Sequence, residues 1–581
     1  MNTIAMLLAV VQPIWPSLER MPEYNDKQIA AMTDVCGNYC NGQPKEGFNP
    51  DEYRMPYVDW QPAPTNANGA CMILISGGSY MCCCDVGLVK MWNEKLTALG
   101  YQCVNFVYRT PRAPGREFYR TAWIDGQRAV RVVRNEAKKY GFDPERIGAI
   151  GMSAGGHLTT LLATSALTPA YAPIDELDKL PCHLNAAVAN APAYNTATAG
   201  TKGGGIARRE DGTLLLDSLT YDPALKFDAK TCPISFHHGG VDPYTPNGST
   251  QCYRQMRKLG VPAELHLFAD RPHGPFGFES AVAFLHQLNF DGRLEAEIPQ
   301  ETYNGEYTAQ EVKEMLWPEK KMPNPFPCHT NAPYLTWFIP KNLKTKAIQI
   351  VFPGGGYMAC SGQREGKDVA QYFNKKGMTA VVVWYRTPRP PKPYEKHFSA
   401  WQDAQRAIKM VRSEATSRGL DPERIGTLGF SAGGHLTLMS ALSSTFNATS
   451  WKVDELDPVS CKVQWACPTY PAYVLSDGVD GPNKFKGGPE IEGGVEPWIN
   501  EEFMFDKNTP PMCFNHGDSD GYSAMGSVKV WEKLRRMGIQ SDLHTYAKRG
   551  HCFQFKAAEE TGSKLWLDRV WDFLTRKGFN K

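Results

Sequence analysis

The sequence lacks three features that would assign a protein to a class at once: a net charge, a long apolar run and a regular cysteine framework. Its 63 Lys and Arg residues nearly balance its 61 Asp and Glu residues, so no basic stripe offers a surface for nucleic acid or an anionic membrane. No apolar run is long enough to span a bilayer. We therefore expect neither a nucleic-acid partner nor a membrane span.

The spacing of the 16 cysteines fits neither a regular disulfide framework nor a zinc site. Neighbouring thiolates in "CCC" at 82–84 do not converge easily on one tetrahedral ion, and "CGNYC" at 36–40 has no second pair to complete a zinc site. We predict free or loosely paired thiols and no metal.

The first residues leave the compartment open. "IAMLLAVV" at 4–11 has the length of a signal-peptide core, but no positive segment precedes it and no small-x-small cleavage site follows. A truncated signal and a structured start are both consistent with this pattern. The localisation prediction slightly favours a secreted or periplasmic protein over a cytoplasmic one.

An internal repeat organises the chain. "GMSAGGHL" around Ser153 returns as "GFSAGGHL" around Ser431, an offset of 278, and "YRTPR" from Tyr108 returns from Tyr385, an offset of 277. Each copy is far longer than a solenoid unit. The chain is therefore predicted to be a tandem duplication of self-sufficient domains.

The repeat defines the predicted boundaries. The first domain covers 1–290, a linker covers 291–316, and the second domain covers 317–581. Copy one carries about 25 extra residues near its start, and these hold Cys36 and Cys40.

Within a copy, apolar strands alternate with amphipathic helices. Residues 118–140 place apolar side chains at spacings of three and four and end at Gly141, which predicts a helix. The predicted strands of copy one are 71–75, 103–107, 147–152, 234–237 and 264–268. This alternation predicts an α/β fold with a mostly parallel sheet flanked by helices in each domain.

Ser153 stands between a buried strand and an apolar helix. This is the setting of a nucleophile elbow, where Gly151 and Gly155 avoid side-chain clashes. Ser431 repeats the arrangement. Two histidines that begin the helix behind the serines are predicted to be structural: His157 and His435.

A serine hydroxyl needs a base, and the base needs an orienting carboxylate. Downstream of later strands lie Asp242 and His273 in copy one, and Asp520 and His551 in copy two. The acids and the histidines are each 278 residues apart, as the serines are. Asp518 is a second candidate for the acid of copy two, but the corresponding position of copy one is a glycine, Gly240.

An oxyanion hole needs backbone amides from the residue after the serine and from an early loop. The loops are "ISGGSY" in copy one and "FPGGGY" in copy two, and the Cβ of Ser79 is expected to disfavour the open loop conformation. "GQREGKD" at 362–368 departs from a phosphate-binding loop and is set aside. The candidate amides are those of Gly78, Ser79, Ala154, Gly355, Gly356 and Ala432.

These motifs together resemble the α/β-hydrolase superfamily, in particular the acetyl esterase and acetylxylan esterase-like group with its feruloyl-esterase-like members. They are "PGGGY", "YR", "DPERIG", "GFSAGGHL", an Asp after "HG", and a late "PHG" or "GHC". The resemblance covers most of both copies. It implies a serine esterase without a cofactor that removes acetyl or feruloyl groups from plant polysaccharide through a Ser-His-Asp triad in each domain.

Two alternatives remain open. A prolyl-oligopeptidase-like peptidase shares the elbow and the late Asp and His, but no blade-like repeat of strands precedes either copy. One copy is alternatively a binding or structural partner of an active one. The segments that differ most between the copies, 192–230 and 468–507, are expected to shape the acyl pocket.

Overall fold

The computed structural model describes residues 10–23, 39–40, 43–44, 55–83, 88–110, 112, 115–196, 220–292, 305–446, 448, 452–476, 498–553 and 565–581. The chain divides into two compact units, Met1–Glu297 and Ile298–Lys581. Each unit is an α/β domain with its own mostly parallel sheet. The predicted fold class, two tandem α/β-hydrolase domains, is confirmed.

Among the described residues, unit one contains the predicted strands and further strands that the sequence analysis did not identify, such as Ala186–Asn190. Its strands are β1 (Val10–Pro13), β2 (Tyr39–Cys40), β3 (Gln43–Pro44), β4 (Tyr57–Trp60), β5 (Cys71–Ile75), β6 (Gln102–Val107), β7 (Ile147–Met152), β8 (Ala186–Asn190), β9 (Ile234–Gly239) and β10 (Ala263–Phe268). Its helices are α1 (Leu88–Ala98), α2 (Arg120–Tyr140), α3 (Ala154–Thr164), α4 (Asn247–Lys258) and α5 (Phe278–Gln287).

The main sheet of unit one has the order β1-β4-β6-β5-β7-β8-β9-β10. Strands β5 to β10 run parallel, and β1 and β4 are antiparallel additions at one edge. All five residues of β5 are buried, which means that both faces of the sheet are covered, because successive side chains point to opposite faces. All five predicted strands are found.

Helix α2 shows why the pattern of 118–140 predicted a helix correctly. Trp123, Val130 and Val133 are buried on one face, and Gly141 closes the helix with φ 73°. A left-handed φ of this kind is open to glycine without steric cost.

Unit two repeats this order. Its strands are β11 (Thr308–Met315), β12 (Tyr334–Pro340), β13 (Ile348–Phe352), β14 (Thr379–Trp384), β15 (Ile425–Phe430), β16 (Trp465–Thr469), β17 (Leu475–Ser476), β18 (Trp498–Ile499), β19 (Cys513–Gly517) and β20 (Asp542–Tyr546). Its helices are α6 (Asp368–Lys375), α7 (Phe398–Ala415), α8 (Ala432–Leu442), α9 (Met525–Arg536) and α10 (Leu565–Arg576).

The main sheet of unit two has the order β11-β12-β14-β13-β15-β16-β19-β20. Strand β11 lies within the predicted linker of 291–316 and pairs antiparallel with β12. The second half of that linker is therefore a strand of unit two, and the prediction was wrong there. The edge strand is mostly exposed, so it carries no apolar run that would mark it in the sequence.

Several predictions fall partly outside the described residues. These are residues 4–9 of the apolar start, Cys36, Cys84, and 197–219 and 477–497 of the pocket segments. Val10 and Val11 of that start lie in β1, which pairs with β4. No helix in the described parts of the chain is long and apolar enough to cross a membrane.

Candidate active site

Both serines stand at sharp turns between a strand and a helix. Ser153 follows β7 and precedes α3 with φ 58° and ψ −122°, and Ser431 has φ 52° and ψ −118° between β15 and α8. A Cβ at Gly151 would lie 2.2 Å from the carbonyl oxygen of Gly155. The strained backbone and the glycine requirement are those of a nucleophile elbow.

The predicted acids and histidines meet at the carboxyl ends of β9, β10, β19 and β20. In unit one, Nδ1 of His273 lies 2.8 Å from Oδ2 of Asp242. In unit two, Nδ1 of His551 lies 2.8 Å from Oδ2 and 3.0 Å from Oδ1 of Asp520. Asp520, which the sequence comparison between the copies favoured over Asp518, is thus the carboxylate that contacts His551.

The two units differ at the contact between serine and histidine. In unit two, Nε2 of His551 lies 2.7 Å from Oγ of Ser431. Among the residues that the structure describes, no such hydrogen bond joins Ser153 to His273, although His273 hydrogen-bonds to Asp242. Unit two therefore has all three groups in hydrogen-bonded contact, and unit one has the acid and base paired without the serine.

A second histidine supports the acid in unit two. Nε2 of His516 lies 3.4 Å from Oδ2 of Asp520, and the backbone N–H of Tyr522 donates to Oδ1 at 2.8 Å. Burial by itself raises the pKa of Asp520, but hydrogen bonds from His516 and His551 outweigh it and lower the pKa to about 2. The carboxylate is therefore ionised at neutral pH, which suits a group that orients an imidazole.

Unit one has the same support. Nε2 of His238 lies 3.3 Å from Oδ2 of Asp242; burial raises the pKa of this aspartate, and hydrogen bonds from His238 and His273 lower it to about 2. His238 and His516 were given no role in the sequence analysis. Their position four residues before each acid was the available signal.

The glycine-rich loops have the same backbone conformation in both units. Gly78 and Gly355 have φ 127° and 129°, and Ser79 and Gly356 have φ 56° and 63°. The Ser79 side chain therefore does not prevent this conformation, although it makes the conformation less favourable than it is for glycine. The cost of a left-handed serine is about 1–2 kcal/mol.

Six backbone amides face no acceptor among the residues described. They belong to the glycine-rich loops and to the first residue of the helix after each serine, where the first N–H groups of a helix lack partners. They are the amides of Gly78, Ser79, Ala154, Gly355, Gly356 and Ala432. This is the arrangement that an oxyanion hole requires.

A buried tyrosine, histidine and acid connect each loop to the helix behind the serine. In unit two, the hydroxyl of Tyr357 lies 2.7 Å from Nδ1 of His435, and Nε2 of His435 lies 2.6 Å from Oε1 of Glu502. This supports the structural role predicted for the two helix histidines. The unit-one counterparts are Tyr80, His157 and Asp222.

In the part of the chain that the structure describes, two side-chain clusters have the atom types of a metal site. In each, the ligand atoms lie within 4.8 Å of one another. They are His397, His435 and Glu502, and Cys513, Asp542 and His544. Glu502 already pairs with His435, and Asp542 with Arg576, so partners from the protein account for both carboxylates.

We predict that Ser79→Gly, made in a Ser431→Ala chain, changes aryl-acetate turnover by less than about threefold, because the loop already has the glycine conformation and its strain is the same in ground and transition states. Steady-state kinetics against the Ser431→Ala parent would measure this. A rise of a hundredfold would show that the serine side chain does obstruct the oxyanion hole.

A family model described as BD-FAE matches residues 60–251 and 335–481. The two matched segments contain Ser153 and Ser431, one in each unit.

Curated relatives and solved structures also match parts of the chain. It is 27% identical over 227 residues to an acetylxylan esterase of Xylanibacter ruminicola, covering 38% of this chain and 43% of the relative. It is 38% identical over 249 residues to Esterase LipQ of Mycobacterium tuberculosis, covering 39% of this chain and 54% of the relative. The chain thus spans about half the length of these relatives.

Among solved structures, an acetyl ester-xyloside bifunctional hydrolase from Caldicellulosiruptor lactoaceticus matches 46% of this chain with 97% of its own, at 27% identity and a TM-score of 0.38. Thermogutta terrifontis esterase 2 matches 47% of this chain with 97% of its own, at 22% identity and a TM-score of 0.36.

Proposed function

This chain belongs to the BD-FAE family, and from that premise we propose that it is a serine carboxylic ester hydrolase with one active site in each unit. The observation that carries the proposal is the continuous set of hydrogen bonds from Ser431 through His551 to Asp520. Acyl transfer by a serine needs these three groups in this order: a hydroxyl nucleophile, an imidazole that accepts its proton, and a carboxylate that orients the imidazole.

The reaction begins at Ser431. Its Oγ attacks the ester carbonyl carbon while Nε2 of His551 takes the proton, and the resulting oxyanion accepts hydrogen bonds from the free amides of Gly355, Gly356 and Ala432. Collapse of the tetrahedral species breaks the bond to the alcohol, which leaves with the proton from His551. Water, deprotonated by the same histidine, then hydrolyses the acyl-enzyme.

The substrate class we propose is an acetylated, or feruloylated, plant cell-wall polysaccharide. One relative is named an acetylxylan esterase, and another that shares 29% identity over 206 residues is named endo-1,4-beta-xylanase B, from Butyrivibrio fibrisolvens. Both names refer to xylan. The active-site geometry itself supports ester hydrolysis and does not select the acyl group.

A second candidate is that unit two is the esterase and unit one is a binding or structural partner. The observation in its favour is the missing contact between Ser153 and His273 among the described residues, with the rest of the site in place. Catalytic hydrogen bonds often form only with substrate bound, so we favour two active units.

A substrate panel tests the proposed class. We expect release of acetate from acetylated xylan and faster hydrolysis of aryl acetate than of aryl butyrate or octanoate, with methyl ferulate assayed beside them. The chain with both Ser153→Ala and Ser431→Ala is the blank. A preference for peptide bonds or for octanoyl esters would contradict the proposal.

A further inference from the structure

The motif "GQREGKD", which the catalytic machinery above does not use, places a buried carboxyl group beside the oxyanion loop of unit two. Residues Gln363–Lys367 form a π-helical turn, and Glu365 within it is only 2% exposed. Its Oε2 accepts a hydrogen bond from the backbone N–H of Gly354 at 2.7 Å. Gly354 immediately precedes Gly355 and Gly356, so Glu365 holds the start of the loop whose amides face the oxyanion.

The other oxygen of the same carboxyl group reaches the catalytic histidine through a tyrosine. The hydroxyl of Tyr470 donates to Oε1 of Glu365 at 2.8 Å. The ring of Tyr470 lies 5.0 Å from that of His551, with an interplanar angle of 69°, an edge-to-face contact. One carboxyl group thus holds both the oxyanion loop and the aromatic side chain that packs against the imidazole.

The position of Tyr470 is itself set by its neighbours. Its φ is 34°, a conformation that a bulky residue adopts only when its surroundings impose it. Its backbone N–H donates to the carbonyl oxygen of Asn515 at 2.6 Å, and the preceding residue, Thr469, accepts from the N–H of Ser431 at 3.2 Å. The tyrosine therefore sits on the strand end that also supports the nucleophile.

Unit one shows that the fold does not require this pair. The offset of 277 between Tyr80 and Tyr357 aligns Glu365 with Leu88, and the offset of 279 between Tyr194 and Tyr473 aligns Tyr470 with Ala191. Unit one has an apolar cavity beside its elbow, with Val89, Trp92, Gly151 and Met152 in its lining. A buried polar pair kept in one unit and absent from the other calls for a functional reason.

The charge of the carboxyl group provides that reason. Burial is the largest influence and raises the pKa of Glu365 above its usual range; the hydroxyl of Tyr470, the N–H of Gly354 and the charge of His551 offset part of that rise and so favour the charged carboxylate. Other titratable groups near Glu365 are Cys360 and Tyr385. Those facing His551 are Asp520, Tyr470 and Tyr522, and Cys552 lies near Tyr470. Among these described groups the acids are Asp520 and Glu365, so Glu365 adds negative charge near the imidazolium that forms during catalysis.

We propose that Glu365 is a positioning residue of the unit-two site: it fixes the oxyanion loop through Gly354, holds Tyr470 against His551, and favours the protonated imidazole. This inference rests on the proposed esterase function. Glu365 hydrogen-bonds to Gly354 and Tyr470, and it acts through the groups it holds. Unit one performs the same chemistry without this device.

The test uses the full chain with Ser153→Ala, so that only unit two is measured, and adds Glu365→Gln. Glutamine keeps the shape and can still accept from Gly354, but it removes the charge. We expect kcat for aryl acetate to fall about 10- to 100-fold with KM changed by less than about threefold. We also expect the acidic limb of the kcat/KM profile to move about 0.5–1 pH unit lower, because protonated His551 loses a stabilising charge.

Two further variants separate positioning from folding. Glu365→Asp keeps the charge and should leave the acidic limb within about 0.2 pH unit of the parent, while the exposed Glu423→Gln, which removes one charge elsewhere in unit two, should match the parent throughout. An unchanged kcat and pH limb in Glu365→Gln overturns the proposal, as does a loss of activity that follows a lowered melting temperature with the limb unmoved. An inactive Ser153→Ala parent would instead overturn the proposed function of unit two.

Discussion

Replacing Ser431 by alanine is expected to remove most aryl-acetate hydrolysis, whereas replacing Ser153 removes little. In unit two the nucleophile, base and acid are already connected, with 2.7 Å between Ser431 Oγ and His551 Nε2. In unit one the serine must still approach its base before reaction. Each 1.36 kcal/mol of such reorganisation costs a factor of ten in rate, so a modest difference makes the units visibly unequal.

The comparison requires matched protein concentrations, folding checked by circular dichroism, and the double alanine chain as the inactive reference. We expect Ser431→Ala to retain about a tenth or less of the activity, and the double variant to retain none. The reverse ranking would show that pocket shape outweighs the assembled triad. A single variant as inactive as the double would contradict two independent sites.

Asp520→Asn, in a Ser153→Ala chain, is expected to lower kcat by about 10⁴. Asp520 accepts hydrogen bonds from Nδ1 of His551 and lies beside His516. An amide in its place presents N–H groups to one of these donors, which favours the imidazole tautomer that cannot take the serine proton. The carboxylate has a pKa of about 2, so the wild-type site keeps this orientation at every ordinary assay pH.

The neighbouring acid provides the control for this prediction. Asp518→Asn changes a carboxyl group two residues away from the aspartate that hydrogen-bonds to His551, and we expect it to retain turnover within about tenfold. Equal losses in the two variants, with both chains folded, would mean that Asp520 does not orient the histidine.

The arrangement of the proposed catalytic residues could be predicted because their identity and spacing are local. Ser153 and Ser431 lie in elbows that only small neighbouring residues permit. The same offset of 278 between the copies identified the candidate acids and histidines. Each strand end at the carboxyl edge of a parallel sheet delivers its side chain to the same place. Motif and topology together therefore locate a site that is dispersed along the chain.

Other features depend on packing that the pattern does not encode. The edge strand Thr308–Met315 is polar and exposed, so it resembled a linker. Ser79 adopts the left-handed conformation that Gly356 has in unit two, and Glu365 gains its position only when the π-helical turn folds beneath Gly354. Whether Ser153 and His273 are hydrogen-bonded depends on side-chain positions, which the spacing of residues in the sequence does not specify.

Labelling with a fluorophosphonate, which reacts covalently with activated serines, tests most directly whether the chain holds two serine sites. Peptide mass spectrometry of the full chain would follow the label at each serine over time. We predict two labels per chain, at Ser431 and Ser153, with Ser431 modified faster and each label abolished only by its own alanine substitution. No label at Ser431, or a label elsewhere that persists in the double alanine chain while the ester is still hydrolysed, would contradict this account.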